Sequence, residues 1–167
     1  MKISTVMLLV FGFTSIAKAN DDCQFNFEGF QSPLDAQHYT VKKSSKVVRD
    51  DSKKTLRQDL TLDNGVKIEF QGGGCAHMAY SFSYSGFKQR PGNLNELLYL
   101  ALSLMVETPT VQTDSLKETW LRNLTFSNRD KIVETSKGLF TVPCGAARCN
   151  LDSTARGKIS VSYDFAL

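Results

Sequence analysis

The sequence predicts an α+β protein: a disulfide-bonded antiparallel sheet of about five to seven strands packed against a pair of helices. Three observations carry that expectation. Apolar residues alternate on both sides of Asp63-Asn64-Gly65, the period lengthens after Arg90-Pro91-Gly92, and alternation returns over residues 158–165. Strands, then helices, then strands is the order of an α+β layer structure.

Residues 1–19 are expected to leave the mature chain. Lys2 gives a positive start, Val6 to Phe13 is almost wholly apolar, and Ala17-Lys18-Ala19 ends in small residues at the positions a signal peptidase reads. That apolar run falls well short of the roughly 20 residues that span a bilayer, and no later stretch approaches them, so no membrane span is expected. Cys23 follows Asn20-Asp21-Asp22, unlike the Leu-x-x-Cys context of a lipoprotein. Residues 20–167 then form a single domain, periplasmic or secreted. Without Lys2 and Lys18 the basic count falls from 20 to 18 against 17 acids, so the formal charge drops from +3 to +1. Nothing in that balance favours nucleic acid.

Along the mature chain, Gln24 to Phe30 alternates and reads as a short extended segment anchored by Phe25, Phe27 and Phe30. Residues 39–48 read as a polar strand. Residues 55–71 read as a hairpin: Leu56, Leu60 and Leu62 precede the turn, Val66, Ile68 and Phe70 follow it, and Asn64-Gly65 suits a two-residue connection. Gly72-Gly73-Gly74 then connects to a third strand, Cys75 to Tyr84, with Met78, Tyr80, Phe82 and Tyr84 on one side. Asn93-Leu94-Asn95-Glu96 can cap a helix whose stripe, Leu97, Leu98, Leu100, Ala101, Leu104 and Met105, runs to about Glu107. A second helix is expected from Asp114, where Ser115 to Glu118 has capping-box spacing and Leu116, Trp120, Leu121 and Leu124 share a face. Lys131–Thr135 and Leu139–Pro143 read as another hairpin, and Lys158–Phe165 as the last strand. The alternation leaves one sheet face solvated, and that face is a possible binding surface.

Four cysteines, Cys23, Cys75, Cys144 and Cys149, make two disulfides the simplest account in an oxidising compartment. The short, small connection Gly145 to Arg148 favours Cys144–Cys149, which leaves Cys23–Cys75. Competing uses of the sulfur are weaker. Cys75 and His77 stand at alternate positions of one strand, as a nucleophile and base would, but no helix start follows the cysteine and no residue orients the histidine. Cys75, His77, Cys144 and Cys149 have zinc-ligand chemistry without the tight spacing of structural zinc modules. The triglycine run lacks the Lys-Ser/Thr continuation of a phosphate loop. No metal or cofactor is implied.

Two surface stretches remain. Residues 42–57 carry seven Lys or Arg and two Asp, and read first as a solvated turn. In "YSGFKQRPGN", residues 84–93, Tyr84, Phe87, Lys88 and Arg90 combine aromatic anchors with cations on a loop, the composition that dominates interface energies. The leading expectation is an exported non-enzymatic binding protein, an inhibitor or immunity-type protein whose partner is a toxin or an envelope-degrading enzyme. The alternatives are a small envelope hydrolase using carboxylates or Cys75 and His77, and an envelope structural or assembly factor.

Overall fold

The computed structural model describes residues 27–75, 77–88, 90–111, 117, 118, 122, 130–144 and 147–166. The chain runs β1 (Val41–Ser44), β2 (Val48–Asp50), β3 (Thr55–Leu62), β4 (Lys67–Gly73), β5 (His77–Ser85), α1 (Leu94–Glu107), β6 (Val133–Ser136), β7 (Leu139–Cys144), β8 (Ala147–Asp152) and β9 (Lys158–Ala166). All pairings are antiparallel, and the strands form one sheet of nine in the order β1-β3-β4-β5-β9-β8-β7-β6, with β2 also on β3.

This corrects the expected architecture. The protein is mostly antiparallel sheet with a single helix among the described elements, not five to seven strands under a helical pair. The segment expected to form a second helix lies for the most part outside the described residues. The additional strands have physical causes. Residues 39–48 make two strands instead of one because three residues, 45–47, oppose only Gln58 and Asp59. At that bulge Ser45 Oγ takes the Asp59 N–H at 2.9 Å in place of a ladder carbonyl. β8 takes in Ala147 and Arg148, expected only to close the disulfide loop, and continues to Asp152; its Cys149 and Leu151 point inward between outward Arg148, Asn150 and Asp152. Residues 27–30 form a turn, with Phe30 N–H donating to Phe27 O, rather than an extended segment. Residues 24–26 lie outside the described set.

The hairpin at Asn64-Gly65 also closes differently. Leu62 N–H bonds Val66 O at 2.8 Å and Gly65 N–H bonds Leu62 O at 3.0 Å, leaving three loop residues. Gly65 alone there has positive φ, +88°, whereas a two-residue type I′ turn would need it at Asn64 as well. Asn64 instead uses its side chain, accepting the Val66 N–H at 3.0 Å.

Antiparallel register aligns the two faces strand by strand. On the inner face Leu56, Gly72, Tyr80, Tyr163, Cys149 and Val142 lie opposite one another, and the next row is Gln58, Phe70, Phe82, Val161, Leu151 and Phe140. These rows, with α1, form one core. α1 begins as expected: Asn93 Oδ1 accepts the Glu96 N–H at 3.0 Å, while Glu96 reaches back to the Gly92 N–H at 2.7 Å. Its buried stripe is the predicted one. The helix starts beside Gly138 and Phe140 and ends where the buried Tyr84 hydroxyl meets Thr108 Oγ1 at 2.9 Å. It therefore crosses the inner face from β7 to β5, a span that its length of about 21 Å covers. Lys117 closes its C-terminal end, donating to the carbonyls of Val106 and Thr108 at 3.0 and 2.8 Å, where a cation also complements the helix dipole.

The two ends of the sheet are built from different chemistry. At one end Cys144 and Cys149 are bridged across the β7–β8 hairpin, as the sequence predicts. Cys75 is disulfide-bonded there too; its expected partner, Cys23, lies outside the described residues. Phe30 packs against Phe70 and Tyr80, over a strand position that only Gly72 leaves open, since a Cβ there would meet both phenyl rings within 2.8 Å. Gly73, at φ +123°, lets the chain pass against the Lys54 carbonyl. Two of the three glycines thus belong to β4 and serve packing as well as connection. Arg49 completes this end, donating to the carbonyls of Phe27 and Phe30 and lying 5.1 Å from the Phe27 ring centroid.

Candidate functional site

At the opposite end, the β3–β4, β5–α1, β6–β7 and β8–β9 connections come together. Gly86, at φ +82°, turns the chain out of β5 against the Gly65 carbonyl. Gly157, at φ +72°, occupies the third position of the turn closed by Lys158 N–H to Ala155 O, the position where type II turns favour glycine, and Arg156 stands exposed at its corner. Ser153 ties this loop to the β6–β7 hairpin, since its N–H and hydroxyl both bond Gly138 O, at 2.8 and 3.0 Å.

Between the β5–α1 and β8–β9 loops lies a cleft of about 290 Å³. Its walls carry Lys88, Arg90, Arg156 and Lys158, its base includes Phe87 and Ile159, and no carboxylate lines it among the described residues. Lys88, Arg90 and Arg156 are exposed and Lys158 is half-buried. Converging cations without an internal counter-charge attract an anionic group, at a rate and strength that fall with salt.

The residues singled out from sequence divide in two. Lys88 and Arg90 stand on the cleft wall, and Phe87 lies half-buried at its base, packed on the core. Tyr84 is fully buried and engaged by Thr108, so it supports the loop from below. Arg156 and Lys158 were missed because they are about 70 positions away in the chain. The Gly157 turn signal was legible, but only strand pairing brings it beside residues 87–91.

The solvated sheet face bears a second depression of about 580 Å³, floored by Ser83, Ser85 and Thr61 and edged by Lys43, Lys67, Lys158, Arg57, Asp59 and Glu69. Ser83 and Ser160 share a hydrogen bond of 2.8 Å. Arg57 pairs with Asp59 at 3.1 Å and with Glu69 at 3.0 Å, and its guanidinium pKa is raised by the hydrogen bond to Asp59 and the charge of Glu69. Both carboxylates thus serve one cation. Lys158 lines both depressions and joins them.

The catalytic alternatives find less to work with. Disulfide-bonded Cys75 has no thiolate for His77 to activate. Among the described residues no group of three or more His, Cys, Asp or Glu is placed to hold a metal ion, and no helix is long and apolar enough to cross a membrane. The chain matches no protein-family model, no curated protein and no solved structure.

Proposed function

We propose that this is an exported, non-enzymatic binding protein of inhibitor or immunity type, and that it holds an acidic surface of a secreted or envelope-targeting enzyme in the cleft between the β5–α1 and β8–β9 loops. The observation that carries the reading is the convergence of Lys88, Arg90, Arg156 and Lys158 on one cleft that no carboxylate lines among the described residues. Export is supported by the signal-peptide pattern of residues 1–19 and by disulfides, which persist in oxidising compartments. The loops stand on a sheet fixed from its far end, so the ordering cost on binding falls mainly on the exposed Lys and Arg side chains rather than on the strands beneath them.

The test is capture from the native host's exported proteins by the oxidised chain, compared with Arg90→Ala/Arg156→Ala. The reading predicts a captured enzyme with an acidic surface, inhibition of its activity, and roughly tenfold weaker capture by the double variant. Equal capture by both forms removes the cleft from the site, and a captured enzyme that stays fully active removes the inhibitor assignment.

A second reading, assembly by strand addition, draws on β6, which among the described strands pairs only with β7 and is exposed along all four residues. Its register shift between Glu134 and Ser136 is the kind of irregularity that blunts an edge, so the cleft is preferred.

A further inference from the structure

The register of the solvated face places three lysines in one row. Lys43 lies opposite Thr61, Thr61 opposite Lys67, Lys67 opposite Ser85, and Ser85 opposite Lys158. The row crosses β1, β3, β4, β5 and β9, alternating lysine with hydroxyl and holding no acid. The neighbouring row contains Asp59, Glu69 and Asp152; Arg57 engages the first two, Asp152 accepts the Thr154 N–H at 2.7 Å, and none of the three lysines sits in an ion pair among the described residues. Strands stand about 4.8 Å apart, so successive lysines along the row are about 10 Å apart. Lys158, the last of them, is also a wall of the cationic cleft.

We infer that this row is a track for an extended acidic segment of the partner, lying across the strands and delivering its end into the cleft. The inference rests on the binding function proposed above and adds the kind of segment recognised. A polyproline II chain advances about 3.1 Å per residue with three residues per turn, so acids at every third position fall on one side, about 9.3 Å apart. That repeat matches the lysine row. A β-strand with alternating acids would space them about 6.6 Å apart and fall out of step. Thr61 and Ser85, between the lysines, offer hydroxyls to the carbonyls of such a chain, whose backbone forms no hydrogen bonds of its own.

The experiment uses labelled twelve-residue peptides built from Glu, Pro and Ser: one with Glu at every third position, and one of identical composition with the Glu residues on alternate positions followed by an uncharged remainder. Binding to the oxidised protein is followed by fluorescence anisotropy at two salt concentrations. The every-third peptide should bind about threefold more tightly. Lys43→Gln/Lys67→Gln should weaken it roughly tenfold, with a shallower salt dependence and an unchanged melting temperature. If that double variant binds as the parent does while Arg90→Ala/Arg156→Ala does not, the track is overturned and the cleft stands. Loss in neither variant, or no binding at all, overturns the track and counts against the cleft too. Equal affinity for the two peptides overturns the matched spacing. A single-stranded oligonucleotide that binds more tightly than either peptide, through the same lysines, replaces the acidic peptide with a phosphate polymer.

Discussion

The stitched end of the sheet and the loop end are made by the same strands and put to opposite uses. At the stitched end, disulfides, the Phe30, Phe70 and Tyr80 rings and the Arg49 clamp satisfy one another within the chain. At the loop end, four cations converge and no lining carboxylate among the described residues answers them. On the proposed reading, the internally answered end governs stability and the unanswered end governs binding. A mutation should therefore affect one property or the other according to the end it falls on.

The largest effect is expected where the stitched end meets the core. Phe70 is fully buried and touches the rings of Phe30, Tyr80 and Phe82, so Phe70→Ala should cost about 3–5 kcal/mol in a urea titration. Replacing both Cys144 and Cys149 by Ala should cost about 2 kcal/mol, the chain-entropy value for so short a loop. Thiol titration of the unreduced, denatured parent should find no reactive sulfur from Cys75, Cys144 or Cys149. Arg49→Ala should cost about 1–2 kcal/mol and raise amide exchange at Phe30, whose segment loses its two charged donors. At the loop end Arg156→Ala should change stability by less than about 0.5 kcal/mol while weakening the captured partner severalfold. An equal stability loss at both ends would dissolve the contrast.

The smallest effect concerns acid. Asp50 is partly exposed at the end of β2, and its carboxyl is held below its ordinary value of 3.8, first by the Ser52 hydroxyl at 2.6 Å and next by the Lys53 N–H. A carboxyl so lowered contributes fully above its unfolded value, and the contribution fades as pH falls through the lowered one. Melts of Asp50→Asn and the parent should therefore differ slightly at pH 7 and converge in strong acid.

Much of this contrast is legible in the sequence, for reasons that particular residues show. α1 was readable because its cap, its apolar stripe and its length lie in one continuous segment. The β3–β4–β5 meander was readable because alternation survives around Gly65 and the glycines that follow. The bulge at 45–47 was not, since it depends on which residues oppose Gln58 and Asp59, and β8 is hard to see because its inward face offers only Cys149 and Leu151, too short an alternation to mark a strand. Half of the cleft was visible in Phe87, Lys88 and Arg90, which are neighbours in the chain. The other half, Arg156 and Lys158, and the alignment of Lys43 with Lys67, follow from strand order, which no local pattern encodes.

A site-resolved NMR titration of the every-third-Glu peptide into the oxidised, isotope-labelled protein separates the loop end from the stitched end within one experiment. Amide shifts should concentrate at Lys67, Ser85, Lys88, Arg90 and Arg156 to Lys158, with Phe30, Leu56 and Cys149 unmoved. Shifts centred on Val133 to Ser136 at the β6 edge, or spread evenly over both ends of the sheet, would contradict binding at the loop end.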